Sequence, residues 1–319
     1  MKEHVKKLAI LDRLSDGRFH SGEDIGVSLN ISRSAISKHI STLQDWGLVI
    51  YKIKGKGYSL SEPLELLSSD RIGYENLPSP ILLGVTNSTN QYLLDEMKTL
   101  ESGQSCFAEY QTSGRGRRGR SWVSPFGSNI YFSLYWKLES GLAGAMGLSL
   151  AVGIAVIDAL ESLGCKGLKL KWPNDVYWNE KKLAGILIEL SAQSGGAAHV
   201  VIGVGINVDL NDRFNSEIGQ PWTDLKEVLS KEQQRNKLAN ALLKSMYQVM
   251  NEFQMSGLRP FIDKWKRLDN FLDKTITLQV GSTGVTGVCK GIDEQGAILL
   301  EINREIKSFI GGEISIRKE

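Results

Sequence analysis

The sequence predicts a multi-domain α/β (α+β) protein: a small helical module with a two-stranded hairpin, then a central mixed sheet with helices, then a small β-barrel. Three patterns predict it. Capped helices with one apolar face occupy the first sixty residues. Strand and helix patterns alternate from about Leu82. From Thr275 short strands recur between glycine turns. At 319 residues the chain can build two or three cores. The patterns divide it at 1–63, 64–270 and 271–319, with Glu62-Pro63 marking the first boundary.

In the first unit, Val5–Leu14 is an apolar-faced helix, and Ser21 caps a second one that follows His20. Ser32 caps the third, in which Ile36, Ile40 and Leu43 share one face. The other faces keep Arg33, Ser34, Ser37, Lys38 and, beside them, His39, the short donors and basic groups that suit base edges and phosphates. Gly47 ends this helix. Leu48–Ile53 and Tyr58–Leu60 are strands around a basic tip, Lys54-Gly55-Lys56-Gly57. That is a winged helix-turn-helix, and its expected partner is double-stranded DNA. Charge agrees: residues 1–62 hold ten Lys and Arg against seven Asp and Glu, and the remainder holds 28 against 29. The net charge of +2 excludes a global polyelectrolyte role.

In the second unit, strand Leu82–Val85 leads through Thr86-Asn87-Ser88-Thr89-Asn90 into a helix over 91–98. This cluster offers hydroxyl and amide groups to a ligand, or serves as a plain helix cap. Cys106–Tyr110 is a strand that delivers Gln111 and then Gly114-Arg115-Gly116-Arg117-Arg118-Gly119-Arg120. Arginine grips phosphate or carboxylate oxygens in pairs, and glycine lets a loop approach closely, so this is a clamp for a small anion or a nucleic-acid contact. Trp122 and the apolar strand Ile130–Trp136 tether the loop to a core and exclude a disordered tail.

The uncharged stretch Ser140–Ile157 carries Gly141, Gly144, Gly147 and Gly153, and Asp158 and Glu161 follow it. It predicts a buried small-residue helix, not a bilayer span, so no membrane partner is expected. The apolar run Leu8–Leu11 is too short for a signal peptide. Cys106, Cys165 and Cys289 lie far apart, which points to reduced thiols, a cytoplasmic location and no structural metal site.

The second dense constellation runs from strand Gly167–Lys171 through Trp172-Pro173-Asn174-Asp175 to Val176–Trp178, a turn, and strand Lys182–Leu190. Lys182 beside Gly185 places an ammonium where a ligand can press on the backbone. Asp175 either holds a cation near phosphates or caps a turn. Val200–Val208 is a buried strand opened at Gly203 and Gly205, as at a ligand's close approach. Residues 233–268 read as helical. Strands over 275–280, 284–291, 297–301, 306–310 and 313–317 then read as a barrel of SH3-like type.

The run from Ser88-Thr89-Asn90 through Gly114–Arg120 to Lys171-Trp172-Pro173-Asn174-Asp175 and Lys182-Leu183-Ala184-Gly185-Ile186 resembles the biotin–protein ligases. With the winged helix, the chain is similar to their bacterial bifunctional form, the biotin operon repressors. The resemblance covers essentially the whole chain. It implies a central domain of class II synthetase-like type. It also implies activation of biotin with MgATP to biotinyl-5′-AMP, and transfer to a lysine of the biotin carboxyl carrier protein of acetyl-CoA carboxylase.

The resemblance implies site residues too. Ser88, Thr89, Asn90 and Gln111 are expected at the ureido ring, with Gly114, Arg115 and Gly116 beside them. Gly185, Ile186, Leu187, Gly203 and Gly205 would wall the apolar part. Two anions must meet, so cations must offset their repulsion. Arg117 and Lys182 are expected at the carboxylate and α-phosphate, and Arg118, Arg120 and Lys171 at the ATP phosphates. Mg2+ arrives with ATP, with Asp175 as its candidate ligand. Asn174 and Asn207 are expected to read the adenylate. Trp122 packs under acyl chain or adenine. Trp222 folds over adenine or is a local anchor. Unused adenylate would act as corepressor: it would drive a homodimer that carries two winged helices to operator half-sites, with Ser32, Arg33, Ser34, Ser37, Lys38, His39, Lys54 and Lys56 facing DNA. A ligase for lipoate or octanoate, a sensor-repressor without ligase activity, and a plain DNA-binding protein are the competing readings.

Overall fold

The computed structural model describes residues 4–75, 77–192, 196–230, 234–311 and 313–315. Helices α1 (Val5–Leu14), α2 (Gly22–Leu29) and α3 (Arg33–Asp45) precede the hairpin β1 (Ile50–Ile53) and β2 (Gly57–Leu60). The two predicted caps form. Ser21 accepts from the Asp24 N–H at 3.0 Å and Ser32 from the Ala35 N–H at 3.2 Å. Each supplies an acceptor to a helix N-terminus that has none of its own. Ile10, Leu14, Ile25, Ile36, Ile40 and Leu43 are buried against Ile50, Tyr58 and Leu60 of the hairpin.

Trp46, just past the end of α3, extends this same core to the arginine loop. Its ring stacks on Tyr110 at 5.0 Å and on Phe126 at 5.9 Å, and its carbonyl accepts from the Phe126 N–H at 2.8 Å. Tyr110 and Phe126 are the two stems of the arginine loop, so an indole from the helical module braces the loop's base. The connecting segment is held too: buried Arg235 pairs with Glu109 at 2.7 Å and donates to the Glu65 carbonyl at 2.8 Å.

The central part holds β3 (Ile81–Leu83), α4 (Thr89–Glu96), β4 (Ser105–Ala108), β5 (Asn129–Leu138), α5 (Leu148–Ser162), β6 (Lys169–Lys171), β7 (Asp175–Trp178), β8 (Lys181–Ala192) and β9 (Ala198–Asn207). The seven-stranded order is β3-β4-β5-β9-β8-β7-β6, with β3 and β4 parallel and the other neighbours antiparallel. After β9 come α6 (Asn215–Ile218), α7 (Leu225–Leu229), α8 (Arg235–Ser256) and α9 (Ile262–Leu268). Side chains alternate along the strands. Phe132, Leu134, Val200 and Ile202 bury under α5 and α8, while Cys106, Tyr135 and Val201 bury under α4.

Two expected helices differ. The helix expected over 140–157 starts at Leu148, and Leu142–Ala145 is a short 3-10 turn. Gly141 and Gly147 adopt φ of 70° and 75°, a left-handed geometry that suits glycine and breaks a helix. Leu142 and Met146 are consequently exposed, not buried. The helical stretch expected over 233–268 breaks at Gly257 (φ 62°) and resumes as a separate α9; residue 233 lies outside the described residues.

At the C-terminal end, β10 (Thr275–Val280), β11 (Thr283–Ile292), β12 (Ile298–Ile302), β13 (Glu305–Phe309) and β14 (Glu313–Ser315) form an antiparallel sheet in the order β13-β12-β11-β10-β14. Residues 316–317 of the last expected strand lie outside the described residues. Trp172, from the element between β6 and β7, donates its indole N–H to the Gly296 carbonyl at 3.0 Å, which ties this sheet to the central one.

Candidate active site and nucleic-acid interface

Two neighbouring chambers open on the central sheet. The small one, of about 60 Å³, is lined at one end by Ser88, Thr89 and Asn90 at the start of α4 and by Gln111. Ser88 is the helix cap, so that reading of the cluster holds for one residue. The Thr89 N–H donates to Gln111 Oε1 at 2.9 Å, and Gln111 Nε2 donates to Ser124 Oγ at 3.1 Å. The Ser133 hydroxyl, buried in β5, donates to Asn90 Oδ1 at 2.5 Å and lies 2.7 Å from Thr89 Oγ1. Asn90 Nδ2 donates to Glu189 Oε2 at 2.9 Å, and Arg115 pairs with the same oxygen at 2.8 Å.

The floor of this chamber is the register pair Gly185 and Gly205, with Gly203 beside Leu187. A Cβ at Gly205 would collide with the Trp122 ring, and one at Gly203 with Asn90 Oδ1. The close approach that these glycines permit is by the Trp122 ring and the Asn90 amide of the chain itself. Trp122 Nε1 and Arg115 Nε are buried donors that lack an acceptor among the described residues. Buried donors ordinarily have one, and these two open on the small chamber.

The large chamber, of about 550 Å³, is lined by Arg120, Lys171, Asp175, Asn207 and Trp222 among others. Gly116, Arg117, Trp122, Asn174 and Lys182 line both chambers and form the wall between them. Lys182 Nζ stands 2.8 Å from Asp175 Oδ1 and 5.5 Å above the Trp122 ring. Asp175 therefore lies on a strand facing a lysine, and it caps no turn. Arg117 donates to Asn174 Oδ1 at 3.0 Å, and Asn174 Nδ2 donates to the Ile186 carbonyl at 2.7 Å. Both ends of the Asn174 amide are thus engaged, and the residue anchors the loop to β8. Lys171 Nζ donates to Tyr177 OH at 3.1 Å. Trp222 is half-buried, pairs by its backbone with Lys182, and donates to Asn215 Oδ1 at 2.7 Å.

The arginine loop closes on itself: the Gly116 N–H donates to the Arg120 carbonyl at 2.7 Å and the Trp122 N–H to the Gly114 carbonyl at 2.8 Å. Arg117–Gly119 is a 3-10 turn in which Arg118 takes φ 54°. Gly114 sits where a Cβ would meet Ser124 Oγ at 2.5 Å.

On the N-terminal module, Ser32, Arg33, Ser34, Ser37, Lys38, Lys54 and Lys56 are all exposed. His39 is half-buried; burial first, then Lys7 and Lys38, hold its pKa below the usual histidine value. It therefore faces neutral solution uncharged.

Residues 82–207 match the model of the Biotin/lipoate A/B protein ligase family, residues 6–59 match an HTH domain, and residues 271–317 match the Biotin protein ligase C terminal domain. The chain is 48% identical over 319 residues, 99% of each chain, to the bifunctional ligase/repressor BirA of Salmonella typhimurium. It is 46% identical over 318 residues, again 99% of each, to BirA of Escherichia coli. The chain belongs to the bifunctional biotin ligase/repressor family. A solved biotin protein ligase from Aquifex aeolicus, in complex with biotin and ATP, aligns with a TM-score of 0.65 at 31% identity, covering 77% of this chain and 100% of that one.

For a bifunctional ligase/repressor, the winged module and the two-chambered sheet account for the two halves of the name. Sequence reasoning gathered Ser88, Thr89, Asn90, Gln111, Arg115, Arg117, Lys182 and the floor glycines, and the structure brings them to one chamber. Arg118 lines neither chamber. Ser133, Ser124, Glu189 and Tyr177 were missed. The signal for Ser133 was its place as a hydroxyl inside an otherwise apolar strand. Glu189 carried no signal before β8 and α4 met.

Proposed function

We propose that this chain adenylates biotin in the paired chambers and passes it to a carrier lysine, and that the adenylate controls its DNA binding. The observation that carries the reading is the shared wall. Arg117 and Lys182 line both chambers, which supports an acid in the small chamber reacting across them with a nucleotide in the large one. A biotin carboxylate oxygen attacks the α-phosphorus, the bond to the bridging oxygen of the β-phosphate breaks, and pyrophosphate leaves. The two anions repel, and the guanidinium and ammonium offset that cost as charge builds between them. The neutral amine of the carrier lysine then attacks the acyl carbon, and AMP departs.

Ser88, Thr89, Asn90 and Gln111 supply donors and acceptors for a ureido ring. Gly185, Gly203 and Gly205 let the apolar part lie on the sheet. Lys171 and Arg120 serve the phosphates. Asp175, now paired with Lys182, is the carboxylate that would hold the Mg2+ brought with ATP, where the ion would offset phosphate charge.

The chain is read as three units, 1–63, 64–270 and 271–319, in the cytoplasm. β7 pairs with β8 only up to Gly185, Asn174 takes both backbone groups of Ile186, and among the described residues no second strand pairs with the edge beyond it. That edge suits either a carrier or a second copy of the chain. Adenylate must then bind the dimer more tightly than the monomer. The test is biotin-dependent exchange of labelled pyrophosphate into ATP. Exchange supports the ligase; biotin binding without exchange points to a sensor-repressor, and no biotin binding points to another acyl group. Arg117→Gly should loosen the wall and let activated biotin reach stray lysines, read by blotting a lysate for biotin. Labelling confined to the carrier counts against that role.

A further inference from the structure

The polar contacts around the small chamber form a closed circuit. It runs from Glu189 to Asn90, through Ser133 to Thr89, then Gln111 and Ser124, and returns along the loop to Arg115 and Glu189. Most links join neighbours on α4, β5 and the loop stems. Glu189 differs. It stands on β8 opposite Val201, and one of its oxygens takes both the Asn90 amide and the Arg115 guanidinium.

Arg115 belongs to the Gly/Arg loop, and Asn90 to the start of α4. A single carboxylate therefore spans the lip of the chamber. A charge-assisted bond of this kind is stronger than a neutral one. Its side chain is 25% exposed and that of Arg115 35%, so water and salt reach the pair without dissolving it.

We propose that Glu189 is a positioning residue that latches the arginine loop shut over the small chamber and so sets how long the activated acyl group is retained. The inference rests on the ligase reading above. With the latch closed, Arg115 and Trp122 stay over the acyl chain, and an acyl phosphate is shielded from water and stray amines. With it open, Arg115 loses its anchor on β8 while the phosphate-side contacts through Arg117 and Asn174 persist. Retention and activation are thus set by different links of the same loop.

The experiment measures the release rate of labelled biotinyl-5′-AMP from the full chain, for the wild type, Glu189→Gln, Glu189→Ala, Arg115→Ala and the Glu189→Ala/Arg115→Ala double variant. Glu189→Ala and Arg115→Ala should each speed release about tenfold, and the double variant should speed it by clearly less than the product of the two, because the link they share is lost in either single. Glu189→Gln is nearly isosteric and keeps an acceptor for Asn90, so it should fall between. Wild-type release should quicken with added salt, and release from Glu189→Ala should not. Additive effects in the double variant, or release unchanged in both alanine singles and the Gln variant, overturn the latch. Wild-type protein that makes no adenylate, shown by absent pyrophosphate exchange, overturns the ligase reading instead.

Discussion

Asn90 is 3% exposed, and each of its side-chain atoms has work: the oxygen accepts from Ser133, and the nitrogen serves Glu189 and the Leu187 carbonyl. A buried amide held at both ends has one orientation, and a ligand meets it preorganised. The lack of a side chain at residue 203 makes room for it. Gly203→Ala should push Asn90 off Ser133 and weaken biotin binding about tenfold or more, with the melting temperature shifted far less. Calorimetric titration checks this, and unchanged affinity would mean that Asn90 is not at the ligand. Asp269 makes a second case. Burial pushes its carboxyl up from 3.8 to about 6, against bonds from the Phe271 N–H and the Cys289 thiol that pull it down. The folded state therefore holds that proton more tightly than the unfolded chain. The stability contributed by neutral Asp269 is full below pH 3.8 and is lost as pH rises to about 6. Asp269→Asn should gain on the wild type by about 1–3 kcal/mol between pH 4 and pH 7. A difference in stability that stays flat over that range would refute the assignment.

At the scale of elements, local chemistry was readable and register was not. Ser21 and Ser32 announced their helices because a cap needs only its neighbours three residues on. Lys182 and Gly185 announced a site because such residues are out of place in an apolar strand. The stretch 140–147 misled because an uncharged small-residue run fits a buried helix. The break comes at Gly141 and Gly147, whose left-handed backbone a continuous helix does not accommodate. Glu189 and Ser133 stayed silent because their partners lie far off in sequence, and strand pairing alone decides which face each takes. Asn174 was legible as a site residue. Its service as an anchor between Arg117 and Ile186 depends on a loop conformation that the sequence does not display.

At the scale of the whole molecule, the exposed lysines of the hairpin belong to the N-terminal module and the chamber cations to the central sheet. Lys54 and Lys56, exposed at the hairpin tip, suit phosphates rather than base edges. Lys54→Ala and Lys56→Ala should each lower the slope of log affinity against log salt by about one, across operator and random DNA alike. Gel-shift titrations at several salt concentrations, with pyrophosphate exchange measured beside them, separate the two functions. A change confined to one DNA sequence would instead mark the lysines as readers of bases.

Trp46 belongs to the helix-turn-helix part, yet it is wedged between the two stems of the arginine loop. It acts as a keystone across two bodies that a parts list would count separately. Heating should therefore melt the full chain in a single calorimetric step. Trp46→Ala, which removes about 3–5 kcal/mol of packing, should split that step in two, with the N-terminal module going first. Two steps in the wild type would remove the keystone from this account. A protein built this way cannot shed or loosen its reader without unbracing its chemistry, and any ligand that firms the loop also firms the reader.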